Sequence, residues 1–127
     1  MILIIEAARL LFCSFVEINP IEMKEITVLE LKKMQDDKQD YQLIDVREPH
    51  EYDIAQMGGE LIPMGEILEQ SDRISKEKPV IIHCRSGARS AAIVTALENQ
   101  FGFTNLYNLK GGILAWANEI DPSIEKY

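Results

Sequence analysis

Cysteine is scarce in this 127-residue chain, which contains only Cys13 and Cys84. Two cysteines in such different contexts do not form the disulfide framework of a small secreted domain, so we expect a reducing, cytoplasmic environment. Histidine is as rare, with only His50 and His83, and these four residues show no metal-ligand spacing. The sequence therefore predicts neither a metal site nor a cofactor.

Positive charge is also in deficit, since 13 lysines and arginines stand against 21 acidic residues and give a net charge of −8. This balance argues against nucleic acid or an anionic membrane as a general partner. Long apolar runs are missing as well. None reaches the about 18–20 residues that a membrane-spanning helix requires, so we expect no stable membrane insertion.

The first 22 residues contain apolar runs that Glu6 and Arg9 interrupt, and no positive charge precedes the first run as a signal peptide would require. Three interpretations remain open for residues 1–22: a short extra helix packed on the domain, an upstream start-codon artefact, or a weak membrane-surface anchor. The domain itself is predicted to span residues 23–127.

In the rest of the chain, short strands alternate with helices. This pattern predicts an α/β sandwich with a mostly parallel central sheet and helices on both faces. Thr27 and Glu30 have the spacing of a capping box at the start of the first helix. Predicted strands are Ile26, 41–46, 61–62, 79–82 and 104–109, and predicted helices are 28–34, 49–52, 64–71, 91–101 and the segment after Gly112.

Residues 83–90, with the sequence HCRSGARS, are the centre of the predicted site. Cys84 follows a buried strand and precedes a helix, where backbone N–H groups lack partners and the helix dipole is positive. Arg85 and Arg89 add positive charge, and both effects favour the thiolate. Gly87 allows a tight turn whose amides point inward as an anion nest. These features predict a nucleophilic cysteine rather than a buried structural one.

Three stretches of the chain resemble the motifs of the single-domain rhodaneses, a family of sulfurtransferases. They are residues 43–52 (LIDVREPHEY), 84–90 (CRSGARS) and 109–116 (LKGGILAW), in the family's order and spacing. The resemblance implies a rhodanese-like sandwich and a thiosulfate-type sulfurtransferase that forms a persulfide on Cys84. The implied partners are a small anionic sulfur donor and a thiophilic acceptor such as cyanide or a thiol, with a sulfur-carrier protein as a further candidate.

The resemblance and the positions of the residues in the predicted strands and loop together give expected roles for individual residues. Cys84 is the nucleophile, and its neighbours are expected to bind the substrate: Arg85, Ser86, Gly87, Ala88 and Arg89. Asp45 and Arg47 are expected to hold the end of their strand by polar contacts, outside the chemistry. His83 is expected to point away from the loop and to be structural.

Loop length separates this chain from its phosphatase relatives. Tyrosine and dual-specificity phosphatases carry their arginine six positions after the cysteine, whereas Arg89 lies five positions after Cys84. The resemblance implies that the cavity of this shorter loop suits one sulfur atom on the cysteine rather than a phosphoryl group. The alternatives that stay open are a dual-specificity-type phosphatase, an arsenate reductase on the same fold, and a non-catalytic rhodanese module that only binds partners. Retention of Cys84 argues against the last.

One stretch departs from the family pattern. Rhodaneses usually have Gly-His-Ile-x-Gly-Ala after the Glu-Tyr pair, and here the corresponding residues 55–60 read AQMGGE. Because the missing histidine is not the nucleophile, catalysis need not be lost. The departure puts the local turn and the substrate preference at that rim in question.

Overall fold

The computed structural model describes residues 23–127 of the chain. The predicted extension at residues 1–22 lies outside the described residues, so its three interpretations stay predictions. In chain order the elements are β1 (Glu25–Ile26), α1 (Val28–Asp36), β2 (Gln42–Asp45), α2 (Pro49–Ile54), β3 (Glu60–Leu61), a 3-10 turn (Ser71–Arg73), β4 (Val80–His83), α3 (Ala88–Phe101), β5 (Leu106–Leu109) and α4 (Gly112–Glu119).

The five strands form one parallel sheet in the order β1-β5-β4-β2-β3, which confirms the predicted α/β class. Strand β4 is therefore central, with β5 on one side and β2 on the other. The carboxyl ends of parallel strands meet at one edge of the sheet, where sites of this fold class form. At this edge Asp45 is in register with His83, and Cys84 follows directly.

The central strand β4 is buried on both faces, because helices cover the sheet on either side. Ile82 packs in the core cluster that contains Val94 of α3. Ile81, which points the other way, packs in the cluster that contains Leu31 of α1 and Trp116 of α4. Because β4 is buried on both faces, its position in the sheet is fixed. The position of Cys84, the next residue after the strand, is therefore fixed as well.

The capping box predicted at the start of α1 is present. Glu30 N–H donates to the Thr27 hydroxyl at 3.1 Å, and Thr27 N–H donates to the Glu30 carboxylate at 2.9 Å. These two bonds satisfy backbone donors that the first helical turn leaves free.

The helix predicted over residues 64–71 is wrong. The segment after Pro63 forms successive turns and ends in the 3-10 turn at Ser71–Arg73. Gly65 is a poor helix former, and Ser71 and Asp72 favour turns, so too few good residues remain for a stable short helix. The turns nevertheless bury Ile67 and Ile74 in the core.

The structure also moves the start of α3. It begins at Ala88, three residues before the predicted start. Ala88, Arg89 and Ser90 therefore belong to the first helical turn. Within residues 23–127, the helices lack the combined length and apolar character that crossing a membrane needs.

Candidate active site

Four residues, Cys84 to Gly87, connect the end of β4 to the start of α3. Gly87 has φ of 105°, a left-handed conformation that glycine adopts without a Cβ penalty. The chain can therefore reverse within this short loop. Since Ser90 lies in the first turn of α3, its N–H has no partner within the helix and is free to face the sulfur.

The Cys84 sulfur is surrounded by hydrogen-bond donors although the residue is only 1% exposed. The N–H groups of Gly87 and Ser90 lie 3.1 and 3.4 Å from Sγ, and the Ser90 hydroxyl oxygen lies 3.4 Å from it. Burial acts to raise the pKa of the thiol. Hydrogen bonds from the Ser90 hydroxyl and from the Ser90, Gly87 and Ser86 amides outweigh burial, so the pKa of Cys84 lies below its ordinary value.

The beginning of α4 sets the orientation of the loop. Ile113 N–H donates to the Cys84 carbonyl at 3.0 Å, and Leu114 N–H donates to the Arg85 carbonyl at 3.1 Å. In a trans peptide the carbonyl and the next N–H point in opposite directions. Holding the Arg85 carbonyl against α4 therefore turns the Ser86 N–H toward the sulfur. Gly112 makes this approach possible, because a Cβ there would lie 2.5–2.6 Å from the same two carbonyl oxygens.

We predict that Gly112→Ala destabilises the fold more than Gly102→Ala does. Both glycines have positive φ, 60° and 73°, but a Cβ at Gly102 would meet no atom within 4 Å. Gly102→Ala therefore measures the cost of placing alanine at a positive φ without any steric clash. Urea unfolding should show an extra loss of at least about 2 kcal/mol at position 112, since that Cβ also pushes on backbone. Equal losses in the two variants would contradict this account of the loop.

Asp45 and Arg47 form a buried ion pair at the end of β2. Arg47 is 0% exposed, and its Nε and Nη2 lie 2.9 and 2.7 Å from the two oxygens of Asp45. Nη2 also donates to the Ala55 carbonyl at 2.6 Å. The contacts tie the strand to the turn after α2. Neither side chain is among the hydrogen-bond partners of Cys84 Sγ.

The Arg89 guanidinium pairs with Glu51, a residue that the sequence analysis did not select. Its Nη1 and Nη2 lie 2.7 and 2.9 Å from the two carboxylate oxygens. Hydrogen bonding to Arg89 is the main reason that the pKa of Glu51 falls to about 2. The pair anchors α3 to α2. The sequence offered a signal for Glu51, since it belongs to the first rhodanese-like motif.

Tyr127 joins the same group of residues from the far end of the chain. Its hydroxyl accepts from Arg47 Nη1 at 2.8 Å and donates to Glu51 Oε1 at 2.9 Å. Arg85 donates through Nε to the Tyr127 backbone oxygen at 2.6 Å and lies 5.2 Å from the ring centroid. Arg85 of the loop is thus bound to Tyr127, and Arg89 of α3 to Glu51. Nothing in the sequence pattern pointed to Tyr127.

We predict that Glu51→Gln changes how stability depends on pH. The folded pKa of Glu51, about 2, lies below the unfolded value near 4.5. Its contribution is therefore complete above about pH 4.5 and is lost as the pH falls toward 2. The variant should be less stable at pH 7 by on the order of 1–3 kcal/mol, and its stability should fall less steeply between pH 4.5 and 2. Urea titrations at several pH values measure both, and parallel curves would contradict the prediction.

The His83 ring is not among the hydrogen-bond partners of the Cys84 sulfur. Its Nδ1 is 3.3 Å from the Cys84 carbonyl oxygen, and its Nε2 has no hydrogen-bond partner among residues 23–127. Burial lowers the pKa of His83, so the ring is neutral. In that part of the chain no group of three or more His, Cys, Asp or Glu side chains is placed to hold a metal ion.

Residues 55–60, which depart from the family pattern, form a turn that is held by a side-chain hydrogen bond. Gln56, at the position of the family histidine, accepts from Gly58 N–H at 2.6 Å through its own side chain. The preceding carbonyl, of Ala55, is the one held by Arg47. The turn is therefore fixed by bonds that need no histidine.

These features define a class of protein: a parallel α/β domain with one buried cysteine in an amide-lined loop at the end of its central strand. A family model for the rhodanese-like domain matches residues 27–119. The chain belongs to the rhodanese-like domain family.

Individual relatives agree with this assignment. YtwF of Bacillus subtilis, whose name classes it provisionally as a sulfurtransferase, is 36% identical over 102 residues, covering 80% of this chain and 97% of YtwF. A rhodanese-like domain protein from Staphylococcus aureus has a similar crystal structure, with a TM-score of 0.70, 32% identity, and coverage of 83% of this chain and 99% of that one.

Other relatives are much longer than this chain. Adenylyltransferase and sulfurtransferase MOCS3 of Drosophila grimshawi is 34% identical over 121 residues, covering 86% of this chain but only 27% of MOCS3. The chloroplastic rhodanese-like/PpiC domain-containing protein 12 of Arabidopsis thaliana is 38% identical over 113 residues, covering 83% of this chain and 38% of that protein.

Proposed function

We propose that this protein is a sulfurtransferase that carries a sulfane sulfur as a persulfide on Cys84. The observation that carries the proposal is the ring of donors around Sγ, formed by the amides of Gly87 and Ser90 and the Ser90 hydroxyl. Donors fixed in this way stabilise an anionic sulfur without reorganising during the reaction. Membership of the rhodanese-like family and relatives named as sulfurtransferases support it.

Sulfur uptake begins with the Cys84 thiolate. It attacks the outer sulfur of a donor such as thiosulfate, a new S–S bond forms to Cys84, and the bond within the donor breaks. Sulfite leaves with the bonding electron pair. The negative charge then lies on the outer sulfur of the persulfide, which the amides of the loop stabilise.

Sulfur delivery reverses the roles. A nucleophilic acceptor, cyanide in an assay or a thiol, attacks the outer sulfur, and Cys84 departs as a thiolate. The donors that lower the pKa of Cys84 make it a better leaving group in this step. The two half-reactions share one covalent intermediate, so the kinetics should be ping-pong. A sulfur-carrier protein remains a candidate acceptor.

Arg85 and Arg89 are proposed to attract the anionic sulfur donor. Their existing contacts weaken this attraction. Arg89 is paired with Glu51, and Arg85 is bound to Tyr127. The positive charge of Arg89 is largely offset by the negative charge of Glu51. An anionic donor is therefore attracted mainly by the positive charge of Arg85. In a chain with a net charge of −8, this favours a small anion that approaches the loop locally.

We predict that thiosulfate adds one sulfur atom to the wild-type protein and that Cys84→Ser abolishes the addition. Replacing one sulfur with oxygen barely changes the side-chain volume, so the fold should persist. Intact-mass spectrometry detects the added sulfur, and thiocyanate formation after cyanide measures its removal. Cys13→Ser is the control and should retain both steps. A Cys84→Ser protein that still forms thiocyanate at the wild-type rate would refute the proposal, whereas a wild type that takes up no sulfur would favour the non-catalytic module.

Loop length supplies a second prediction, which separates sulfur from phosphoryl chemistry. Inserting one glycine between Gly87 and Ala88 moves the arginine to the phosphatase position. Because the Gly87 and Ser90 amides would no longer converge on one sulfur, thiocyanate formation should fall to background. The wild type should not hydrolyse aryl phosphates. Sulfur transfer at the wild-type rate by the lengthened loop would show that loop length does not select the chemistry.

A further inference from the structure

Asn108 lies on β5, beside the central strand, and is only 2% exposed. It contacts Ser90, one of the hydrogen-bond donors around the Cys84 sulfur. Its amide nitrogen donates to the Gly87 carbonyl at 3.2 Å and to a Glu25 carboxylate oxygen at 3.4 Å. Both partners can only accept. The amide orientation is therefore decided by its neighbours, and Oδ1 must face the other way.

The atom that Asn108 Oδ1 faces is the hydroxyl oxygen of Ser90, at 2.5 Å. Ser90 is completely buried, and its hydroxyl also lies 3.4 Å from the Cys84 sulfur. A serine hydroxyl has one proton to donate, whereas an amide oxygen and a thiolate can only accept. Asn108 and the thiolate therefore compete for the same proton.

We propose that Asn108 is a positioning residue for Cys84, and that the Ser90 hydroxyl turns from Asn108 to the sulfur when the thiol ionises. In the neutral state the thiol S–H donates to Ser90, and the Ser90 O–H donates to Asn108. When the thiol proton is lost to water, the Ser90 O–H rotates and donates to the thiolate. No bond within Ser90 or Asn108 breaks.

This rotation fits the sulfur-transfer cycle, and that part of the inference rests on the proposed function. Sγ carries negative charge when Cys84 attacks the donor and again when it departs in the delivery step. In the persulfide the charge lies on the outer sulfur instead. The Ser90 hydroxyl would then support Sγ in the two anionic states and return to Asn108 while the sulfur is loaded.

The test below alters none of the ionisable side chains around the thiol, although Glu25 loses its contact with residue 108 in Asn108→Leu. Arg89 on α3 is paired with Glu51 on α2, and the neutral His83 contacts the Cys84 carbonyl rather than the sulfur. Arg85 of the loop is bound to Tyr127, and Arg47 to Asp45. Glu25 on β1 reaches the network only through Asn108.

The test measures the pKa of Cys84 from the rate of iodoacetamide alkylation against pH, in a Cys13→Ser background that leaves one thiol. Asn108→Leu removes the competing acceptor, so the hydroxyl is free for the thiolate and the pKa should fall. Ser90→Ala removes the donor, so the pKa should rise by about one unit. In the double variant the pKa should equal that of Ser90→Ala, because Asn108 acts through the hydroxyl.

A merely structural role predicts the opposite result. If Asn108 only anchors Gly87, its loss loosens the amide ring, and the pKa rises with or without Ser90. A rise, no change, or an equal shift in both backgrounds would overturn the proposal. Asn105→Leu is the matched control, since the Asn105 amide nitrogen also donates to two acceptors, the Ser75 and Lys78 carbonyls, but Asn105 is not among the hydrogen-bond partners of the Ser90 hydroxyl. It should lower the unfolding midpoint and leave the pKa unchanged.

Asn108→Asp provides a second variant should Asn108→Leu fail to fold. The carboxylate keeps the hydroxyl as its donor and adds negative charge, so the pKa should rise, and by less when Ser90 is alanine. An equal rise in both backgrounds would contradict the proposal. Alkylation requires no sulfur donor, so the result is independent of whether the protein transfers sulfur.

Discussion

The site depends on one backbone contact, in which the first N–H groups of α4 bind the carbonyls of Cys84 and Arg85. This contact holds both carbonyls against α4, and the Ser86 amide that follows the Arg85 carbonyl is among the donors that lower the pKa of Cys84. N–H groups in the first turn of a helix lack partners within the helix, so the contact satisfies donors of α4 and also orients the loop. Gly112 is required because the two backbones approach too closely for a Cβ. The sequence motif Gly111-Gly112 thus serves the cysteine loop rather than α4 alone.

Two opposing effects act on the Cys84 thiol, and hydrogen bonding wins. Complete burial disfavours a thiolate, while a hydrogen bond to a charged group contributes about 1.5–3 kcal/mol. With several donors converging on Sγ, the pKa falls despite burial. The arginines were expected to share this work, but Glu51 occupies the Arg89 guanidinium. Arg89 still interacts electrostatically with Cys84. The largest lowering of the Cys84 pKa comes from the Ser90 hydroxyl, followed by the amides of Ser90, Gly87 and Ser86.

Residues close in sequence were predictable, and those joined only by the fold were not. The cysteine loop and the Thr27–Glu30 capping box are local patterns with a direct physical meaning. Asn108 and Tyr127 meet the site from distant positions, through the pairing of β5 with β4 and the course of the chain after α4. No spacing in the sequence encodes such contacts. The prediction of a helix over 64–71 was wrong for a different reason. The segment forms turns that bury its apolar residue Ile67 in the core without a helix.

The loop is held from three directions, and each anchor restrains a different part of it. The N–H groups of α4 bind its first carbonyls, Asn108 of β5 binds the Gly87 carbonyl, and Glu51 of α2 binds Arg89. A loop of four residues has little freedom once both ends and its turn are fixed. Its amides therefore lose little further entropy when they meet an anionic sulfur. The same rigidity works against a larger tetrahedral group, because widening the ring would require several anchors to move at once. Anchoring, together with loop length, is thus a physical argument for the proposed sulfur chemistry over phosphoryl transfer.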